Sequence, residues 1–281
     1  MTSELASEPD ALASETGALP AVSFAGVSVL RDGRAVLDAI DWEVGPRDRW
    51  VVLGPNGSGK TTLLQVAGAR LMQSRGLVTV VGEQFGRSDL RTLRARVSLV
   101  SAATVRSVRP FLSAQEVVVT GKDGALFPLE HRYTQADWAA ADRVLRRVAG
   151  PAAAALSSSA FGILSEGERQ QVLIARSLMG AAELILLDEP ASGLDLAARE
   201  RLVARMGSLA RDPGVPAVVL VTHHIEEVPP GFTHGLLLAA GRVIAAGRLH
   251  DVLTEPLVSA CFGVRVRVAQ RDGRWWAHAA L

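Results

Sequence analysis

A glycine-rich loop followed by a lysine and two threonines is the first feature of this sequence that could do chemistry. Its residues are Gly54, Pro55, Asn56, Gly57, Ser58, Gly59, Lys60, Thr61 and Thr62. Glycines let backbone N–H groups converge on an anion, and a helix that follows presents its positive N-terminal end to phosphate. Lys60 can then reach the β- and γ-phosphates, and the Thr61 hydroxyl can ligate Mg²⁺. The pattern predicts a site for ATP and magnesium.

Two carboxylates follow a continuous apolar stretch and are candidates for the hydrolytic chemistry. Asp188 and Glu189 come directly after residues 184–187, Leu-Ile-Leu-Leu. The carboxyl end of a buried parallel strand is where ligands of open α/β sheets collect. We expect Asp188 to bind Mg²⁺ through water and Glu189 to orient or deprotonate the water that attacks the γ-phosphate.

A pair of histidines ends the next apolar stretch in the same manner. His223 and His224 follow residues 217–222, Ala-Val-Val-Leu-Val-Thr. One imidazole should arrive beside the phosphates, and we expect it to be His223. A zinc site from the pair is not expected, because adjacent strand residues face opposite sides and no third ligand is near in sequence.

The elements around these residues alternate between strands and helices. Short strands with turn signals over residues 27–53 predict an antiparallel β start, and residues 60–71 and 196–209 have helical composition. Residues 88–162 are mostly helical in pattern, with the best helix over 136–148. A hairpin is expected over 264–276, around Asp272 and Gly273. This alternation predicts an α/β fold with a parallel sheet.

Composition limits the remaining possibilities. The 281 residues carry a net charge of +1, which gives no field for attracting nucleic acid. Cys261 is the only cysteine, so no intramolecular disulfide can form. No apolar run reaches the roughly 18 to 20 residues that cross a bilayer. Residues 1–20 predict a disordered leader and not a signal peptide.

Further motifs resemble those of the ABC ATPase family. Residues 164–171, Leu-Ser-Glu-Gly-Glu-Arg-Gln-Gln, resemble the LSGGQ signature, with Glu166 in place of Gly and Glu168 in place of Gln. Ser165 and Gly167, the positions that meet phosphate in the family, are kept. Residues 192–195 resemble the D-loop and His223 the switch histidine. The resemblance covers about residues 22–247.

Several expectations follow from the resemblance. It implies a P-loop NTPase core of the RecA-like type over residues 21–250, with an antiparallel β subdomain, a helical insert over about 88–165 and a small extension over 251–281. It also implies a head-to-tail homodimer that sandwiches ATP, to which Ser165, Gly167, Glu168 and Asp195 contribute. Transmembrane permease subunits would hold the chain at the inner, cytoplasmic face of the cell membrane.

Two positions depart from the family pattern. Ala102 stands where the Q-loop glutamine should follow the strand over residues 97–100, and Gln115 is a distant candidate to replace it. The aromatic residue that stacks on adenine is absent near Leu30 and Arg31. Arg31 could stack through its guanidinium plane or be an ordinary solvated arginine.

Three functions fit these motifs. The first is the ATPase subunit of a transporter, and the tail after Leu253 is similar to ATPases that serve importers of iron chelates, vitamin B12 and metal oxyanions. The second is a soluble ABC ATPase that acts on nucleic acid or ribosomes, although the sequence shows no tandem cassettes or basic arms. The third is a nucleotide-gated module that does not hydrolyse, which Ala102 permits and Glu189 with His223 disfavours.

Overall fold

Three β-sheets organise residues 19–125 and 127–280, the part of the chain that the computed structural model describes. The strands are β1 Val22–Arg31, β2 Arg34–Val44, β3 Arg49–Leu53, β4 Arg75–Val80, β5 Glu83–Gln84, β6 Val97–Val100, β7 Leu184–Asp188, β8 Ala217–Thr222, β9 His234–Ala239, β10 Arg242–Arg248, β11 Val266–Arg271 and β12 Arg274–Ala279. The helices are α1 Lys60–Ala67, α2 Leu90–Arg96, α3 Ala102–Ser107, α4 Ala114–Val119, α5 Gln135–Ala149, α6 Ala153–Ser157, α7 Glu166–Met179, α8 Leu196–Ala210, α9 Leu249–Val252 and α10 Glu255–Phe262. The predicted leader lies outside the described residues, apart from Leu19 and Pro20.

The central sheet has six strands in the order β10-β9-β3-β8-β7-β6. All neighbouring pairs are parallel except β9 and β10, which form an antiparallel edge. Residues of β3, β7 and β8 alternate between two buried clusters, since Val51 packs on one face of the sheet and Val52 on the other. Strands covered on both faces explain the continuous apolar runs in the sequence. The predicted α/β fold is confirmed.

A second sheet, in the order β2-β1-β4-β5, is antiparallel. This sheet and α1 enclose the cluster that contains Val52, with residues such as Phe24, Trp42 and Leu64. The cluster that contains Val51 lies on the other face of the central sheet and includes residues of α4, α5, α7 and α8. Helix α1 is thus fixed between two sheets, which sets the position of the loop that precedes it.

The segment between β6 and β7 is mostly helical, as predicted. Helix α5 covers the predicted range 136–148, and a capping box in which Thr134 and Asp137 satisfy each other's backbone N–H groups fixes its start. Strand β6 lies within the predicted insert 88–165 but pairs with β7 as the edge of the central sheet. The division into domains stays a prediction.

Helix α1 is shorter than predicted, and the expected extent of residues 60–71 was wrong. The helix ends at Ala67, where the N–H of Gly68 bonds to the carbonyl of Leu64. Ala69 then has a φ of +53°, a left-handed conformation that cannot continue a right-handed helix.

The chain ends in the predicted hairpin of β11 and β12. Asp272 and Gly273 both have positive φ, as the two central residues of a type I′ turn require. Within the described ranges, no helix combines the length and hydrophobicity needed to cross a membrane.

Candidate active site

The glycine-rich loop connects β3 to α1 at the carboxyl end of the central sheet. Gly54 approaches the backbone of β9 so closely that a Cβ there would overlap the carbonyl oxygen of Leu238. Gly59 has a φ of +105°, and a Cβ on it would lie 2.9 Å from the carbonyl oxygen of Val36. The loop conformation therefore needs glycine at both positions.

Lys60 begins α1 and lies inside the loop. It is only 5% exposed, and its Nζ donates to the carbonyl oxygens of Gly54 and Pro55, both at 2.9 Å. Burial lowers the pKa of Lys60, and the charges of Glu189 and Asp188 oppose that shift. The ammonium group thus lies at the centre of the cradle, near two carboxylates.

Thr61 and Asp188 meet beside Lys60. The Thr61 hydroxyl donates to Oδ1 of Asp188 at 3.4 Å. Burial raises the pKa of Asp188, and the nearby charge of Glu189 raises it further. Hydroxyl and carboxylate oxygens this close together are the hard ligands that Mg²⁺ prefers.

Glu189 and His223 form the next contact along the same edge of the sheet. Nδ1 of His223 lies 3.1 Å from Oε1 of Glu189, and both side chains are about 30% exposed. Glu189 has a φ of +48°, a rare conformation for a residue with a side chain. The His224 ring lies against that of His223 in a tilted arrangement, with centroids 4.0 Å apart, and of the two histidines it is His223 that contacts Glu189.

The signature residues lie at the start of α7. Ser165 is the N-cap, and its hydroxyl donates to the Glu168 carboxylate at 2.7 Å, while that carboxylate also accepts from the Ser165 N–H at 2.8 Å. Gly167 is buried against α8, where a Cβ would lie 3.3 Å from Ala198. Glu168 therefore completes a capping box in place of the family's glutamine.

Asp195 has a similar role at the next helix. It is the N-cap of α8, and its carboxylate accepts from the N–H of Ala198 at 2.7 Å. Among the described residues, no hydrogen bond joins Ser165, Gly167, Glu168 or Asp195 to the cluster around Lys60. The structure brings Lys60, Thr61, Asp188, Glu189 and His223 together, and within the described residues the signature bonds to none of them.

The position expected for the Q-loop glutamine has a different local structure. Ala102 is exposed and begins α3, which Ser101 caps by accepting from the N–H of Thr104. Gln115 donates to the carbonyl oxygen of Trp138 at 3.4 Å, so its amide is used within the helical segment. Leu30 and Arg31 are exposed at the β1–β2 turn.

Sequence reasoning missed two interactions near His223. The Thr222 hydroxyl donates to the carboxylate of Glu227, and both residues are buried. Arg274 of the terminal hairpin bonds to Glu200 and to the carbonyl oxygen of Glu226. The alternation of apolar residues predicts elements but carries no signal for polar pairs between distant segments.

The loop fits a polyphosphate on evidence of its own. Ser58 is 2% exposed, and its buried hydroxyl has no hydrogen-bond partner within the described structure, an arrangement that a bound polar group would satisfy. Backbone N–H groups at the start of α1 point along the helix axis toward the same space. Fold and site together define a P-loop nucleotide-binding protein.

Comparison with known proteins gives the family. The model of the ABC transporter family matches residues 37–192, which is more than half of the chain. An uncharacterised ABC transporter ATP-binding protein of Bacillus subtilis is 34% identical over 88% of this chain and 93% of its own length. A hemin import ATP-binding protein of Streptomyces coelicolor is 32% identical over 86% of this chain and 83% of its own.

A solved structure has the same fold. It is cbiO1 of Clostridium perfringens, part of an ABC transporter complex, with a TM-score of 0.71 and 23% identity over 86% of this chain and 93% of the other. The chain belongs to the ABC transporter family as an ATP-binding, ATP-hydrolysing subunit, and the resemblance found in its motifs is confirmed.

Proposed function

We propose that this chain drives an importer by binding ATP between two copies of itself and hydrolysing it with Glu189 and His223. The observation that carries the proposal is a pair of contacts along one edge of the central sheet, between Thr61, next to Lys60, and Asp188, and between His223 and Glu189. These residues come from three separate places in the sequence, and the parallel sheet gathers them.

The loop and Lys60 bind the phosphates in this proposal. Lys60 bonds to two backbone carbonyls of its own loop, and a phosphate oxygen competes for the same ammonium protons. An anion also gains from the N–H groups and dipole at the start of α1. Thr61 and Asp188 would hold Mg²⁺, which supplies charge neutralisation on the phosphates.

Glu189 is the proposed general base. Its carboxylate lies next to His223, whose imidazole can hold Glu189 in place and donate to the γ-phosphate. The left-handed backbone of Glu189 follows immediately after β7, which turns its side chain away from that of Asp188. One carboxylate can thus face the metal while the other faces the attacking water.

A second copy of the chain completes the site in this proposal. Ser165 is exposed at the start of α7, and its N–H and hydroxyl are held by Glu168. Because no hydrogen bond among the described residues joins the signature to the Lys60 cluster of the same chain, we assign these donors to the phosphate bound by a neighbouring copy. ATP would then hold the dimer together, and hydrolysis would release it.

The helical segment offers a surface for a permease. Phe111 and Phe127 are exposed and form an edge-to-face pair, with the Arg109 guanidinium 5.4 Å from the Phe127 ring. Ile163, next to the signature, is 80% exposed. We assign this patch to a cytoplasmic helix of the permease that has apolar residues and a carboxylate for Arg109. Import is supported by the relative that serves hemin import.

The test compares Glu189→Gln with the wild-type chain. Wild type should release phosphate from ATP, while the variant should bind ATP and accumulate as a dimer, measured by size-exclusion chromatography with light scattering. Glu183→Gln is the matched control, because Glu183 precedes the other end of β7 and forms only an exposed ion pair with Arg96. A Glu189→Gln variant that hydrolyses at the control's rate would refute the proposed base.

A further inference from the structure

Arg274 joins the C-terminal hairpin to two elements near the proposed hydrolytic residues. Its guanidinium donates to both carboxylate oxygens of Glu200, at 2.6 and 3.2 Å, and to the carbonyl oxygen of Glu226 at 2.8 Å. The N–H of Ala277 donates to the Glu226 carboxylate at 3.2 Å. A planar guanidinium with three such bonds has little freedom to change its orientation.

The two elements that Arg274 connects both lead to predicted site residues. Glu226 lies three residues after His223, in the short turn that follows β8. The buried Glu227 accepts from the hydroxyl of Thr222, directly before His223. Glu200 lies in α8, the helix that the predicted D-loop residue Asp195 caps. The backbone around His223 is therefore held by the bond between Thr222 and Glu227 and by the bond from Arg274 to Glu226. Arg274 itself lies outside the Lys60 cluster.

The hairpin that carries Arg274 is itself held in place. Val268, Trp275 and Ala277 pack against the hydrophobic cluster that contains Val51. An open groove of about 250 Å³ is lined by His278 and Ala279 of the hairpin and by His223 and His224. With this space beside it, His223 has room to leave Glu189 if the turn after β8 shifts.

We propose that Arg274 is a positioning residue for ATP hydrolysis, which keeps His223 against Glu189 by fixing the turn at residues 225–227. The inference rests on the role proposed above for His223. Arg274 also connects this turn to α8, the helix that Asp195 caps, through its bonds to Glu200. Nothing in the loop that binds phosphate touches Arg274 among the described contacts, which separates its effect from nucleotide binding.

The expected effect is on turnover and not on affinity. Arg274→Gln should lower kcat about tenfold, because a small displacement of a group that must meet the transition state is costly. The KM for ATP should stay within about twofold of wild type, since Lys60 and its loop are unchanged. Arg267→Gln is the matched control, as it removes an exposed ion pair with Glu255 from the same hairpin.

A double-mutant cycle with His223→Ala tests whether Arg274 acts through His223. The four proteins are wild type, Arg274→Gln, His223→Ala and the double variant, each checked for folding by its thermal midpoint. We expect Arg274→Gln to slow the wild type and to have no further effect once His223 is removed. If Arg274→Gln does not fold, Glu200→Gln enters the same cycle, because it removes one partner of the guanidinium and leaves the hairpin sequence intact.

The outcomes separate this inference from the proposed function. Equal fold-losses of kcat for Arg274→Gln in both backgrounds, or a loss matched by Arg267→Gln, would overturn the positioning role. A slow His223→Ala with a fully active Arg274→Gln would refute the positioning role alone. A His223→Ala variant with the wild-type rate would refute the proposed role of His223 and this inference with it.

Discussion

Ser165 caps a helix and is also a proposed donor to ATP, and a second serine in this chain allows the two roles to be tested separately. It caps α7 through a reciprocal pair of bonds with Glu168, and Ser113 caps α4 through an equivalent pair with Glu116. The N–H and hydroxyl of each serine contact the glutamate at similar distances, 2.7 and 2.8 Å at Glu116 and 2.8 and 2.7 Å at Glu168. Only Ser165 is in the signature, so Ser113→Ala is the control for Ser165→Ala that removes a helix cap alone.

The two substitutions should cost similar stability. Replacing an N-cap serine by alanine lowers the free energy of unfolding by about 1 kcal/mol, within a range of roughly 0.5–2 kcal/mol. For a chain of this size that loss lowers the thermal midpoint by about 2–4 °C. We expect both Ser165→Ala and Ser113→Ala to fall in this range when measured by differential scanning calorimetry.

Their effects on hydrolysis should differ widely. Loss of one donor aimed at developing charge costs on the order of 10²–10³-fold in kcat, and Ser165→Ala should approach that loss in steady-state phosphate release. Ser113→Ala should keep a rate within about twofold of wild type. If the two variants hydrolyse ATP equally well, or lose activity equally, Ser165 acts only as a cap and the reasoning fails.

Two further substitutions test the loop and the metal residues. Gly54→Ala should abolish detectable ATP binding in isothermal titration calorimetry, because its Cβ overlaps the Leu238 carbonyl. Gly26→Ala meets no other atom but carries the strain of a φ of +59°, so it should lose stability and still bind ATP. Asp188→Asn should raise the thermal midpoint of the nucleotide-free chain at pH 7, because burial and the charge of Glu189 raise the pKa of Asp188 and so penalise its ionised form. Since this penalty disappears as pH falls through the raised pKa, the two midpoints should converge at acidic pH, and a gap that widens there would contradict the argument.

Much of the fold could be predicted because its strands are buried on both faces. The runs at residues 184–187 and 217–221 are continuous and apolar. Each becomes a central strand with a proposed site residue at its carboxyl end, Asp188 in the first and His223 after the second. The motif spacing then places Asp188, Glu189 and His223 at one edge. Helix α8 starts at Leu196, as predicted, because Asp195 before it is a clear start signal, and it ends one residue after the predicted Leu209.

The rest depends on contacts that sequence periodicity does not encode. Helix α1 was predicted too long, because a left-handed Ala69 ends it and nothing in the composition of that stretch signals such a residue. Helix α3 lies within residues 88–162, which were predicted to be mostly helical, but the Ser101 cap that starts it was not predicted. The bonds of Arg274 to Glu200 and Glu226 join residues 74 and 48 positions apart, and only the docked hairpin reveals them.

Trans-complementation tests most directly the claim that two copies share each ATP site. Lys60→Ala removes the phosphate-binding ammonium, and Ser165→Ala removes the donor that a second copy supplies, so neither homodimer has an intact site. In a mixture of the two, each heterodimer combines the good loop of one chain with the good signature of the other. About half of random dimers are heterodimers with one of two sites intact, which predicts roughly a quarter of the wild-type rate of phosphate release. A mixture no faster than the average of the separate variants would contradict the shared site.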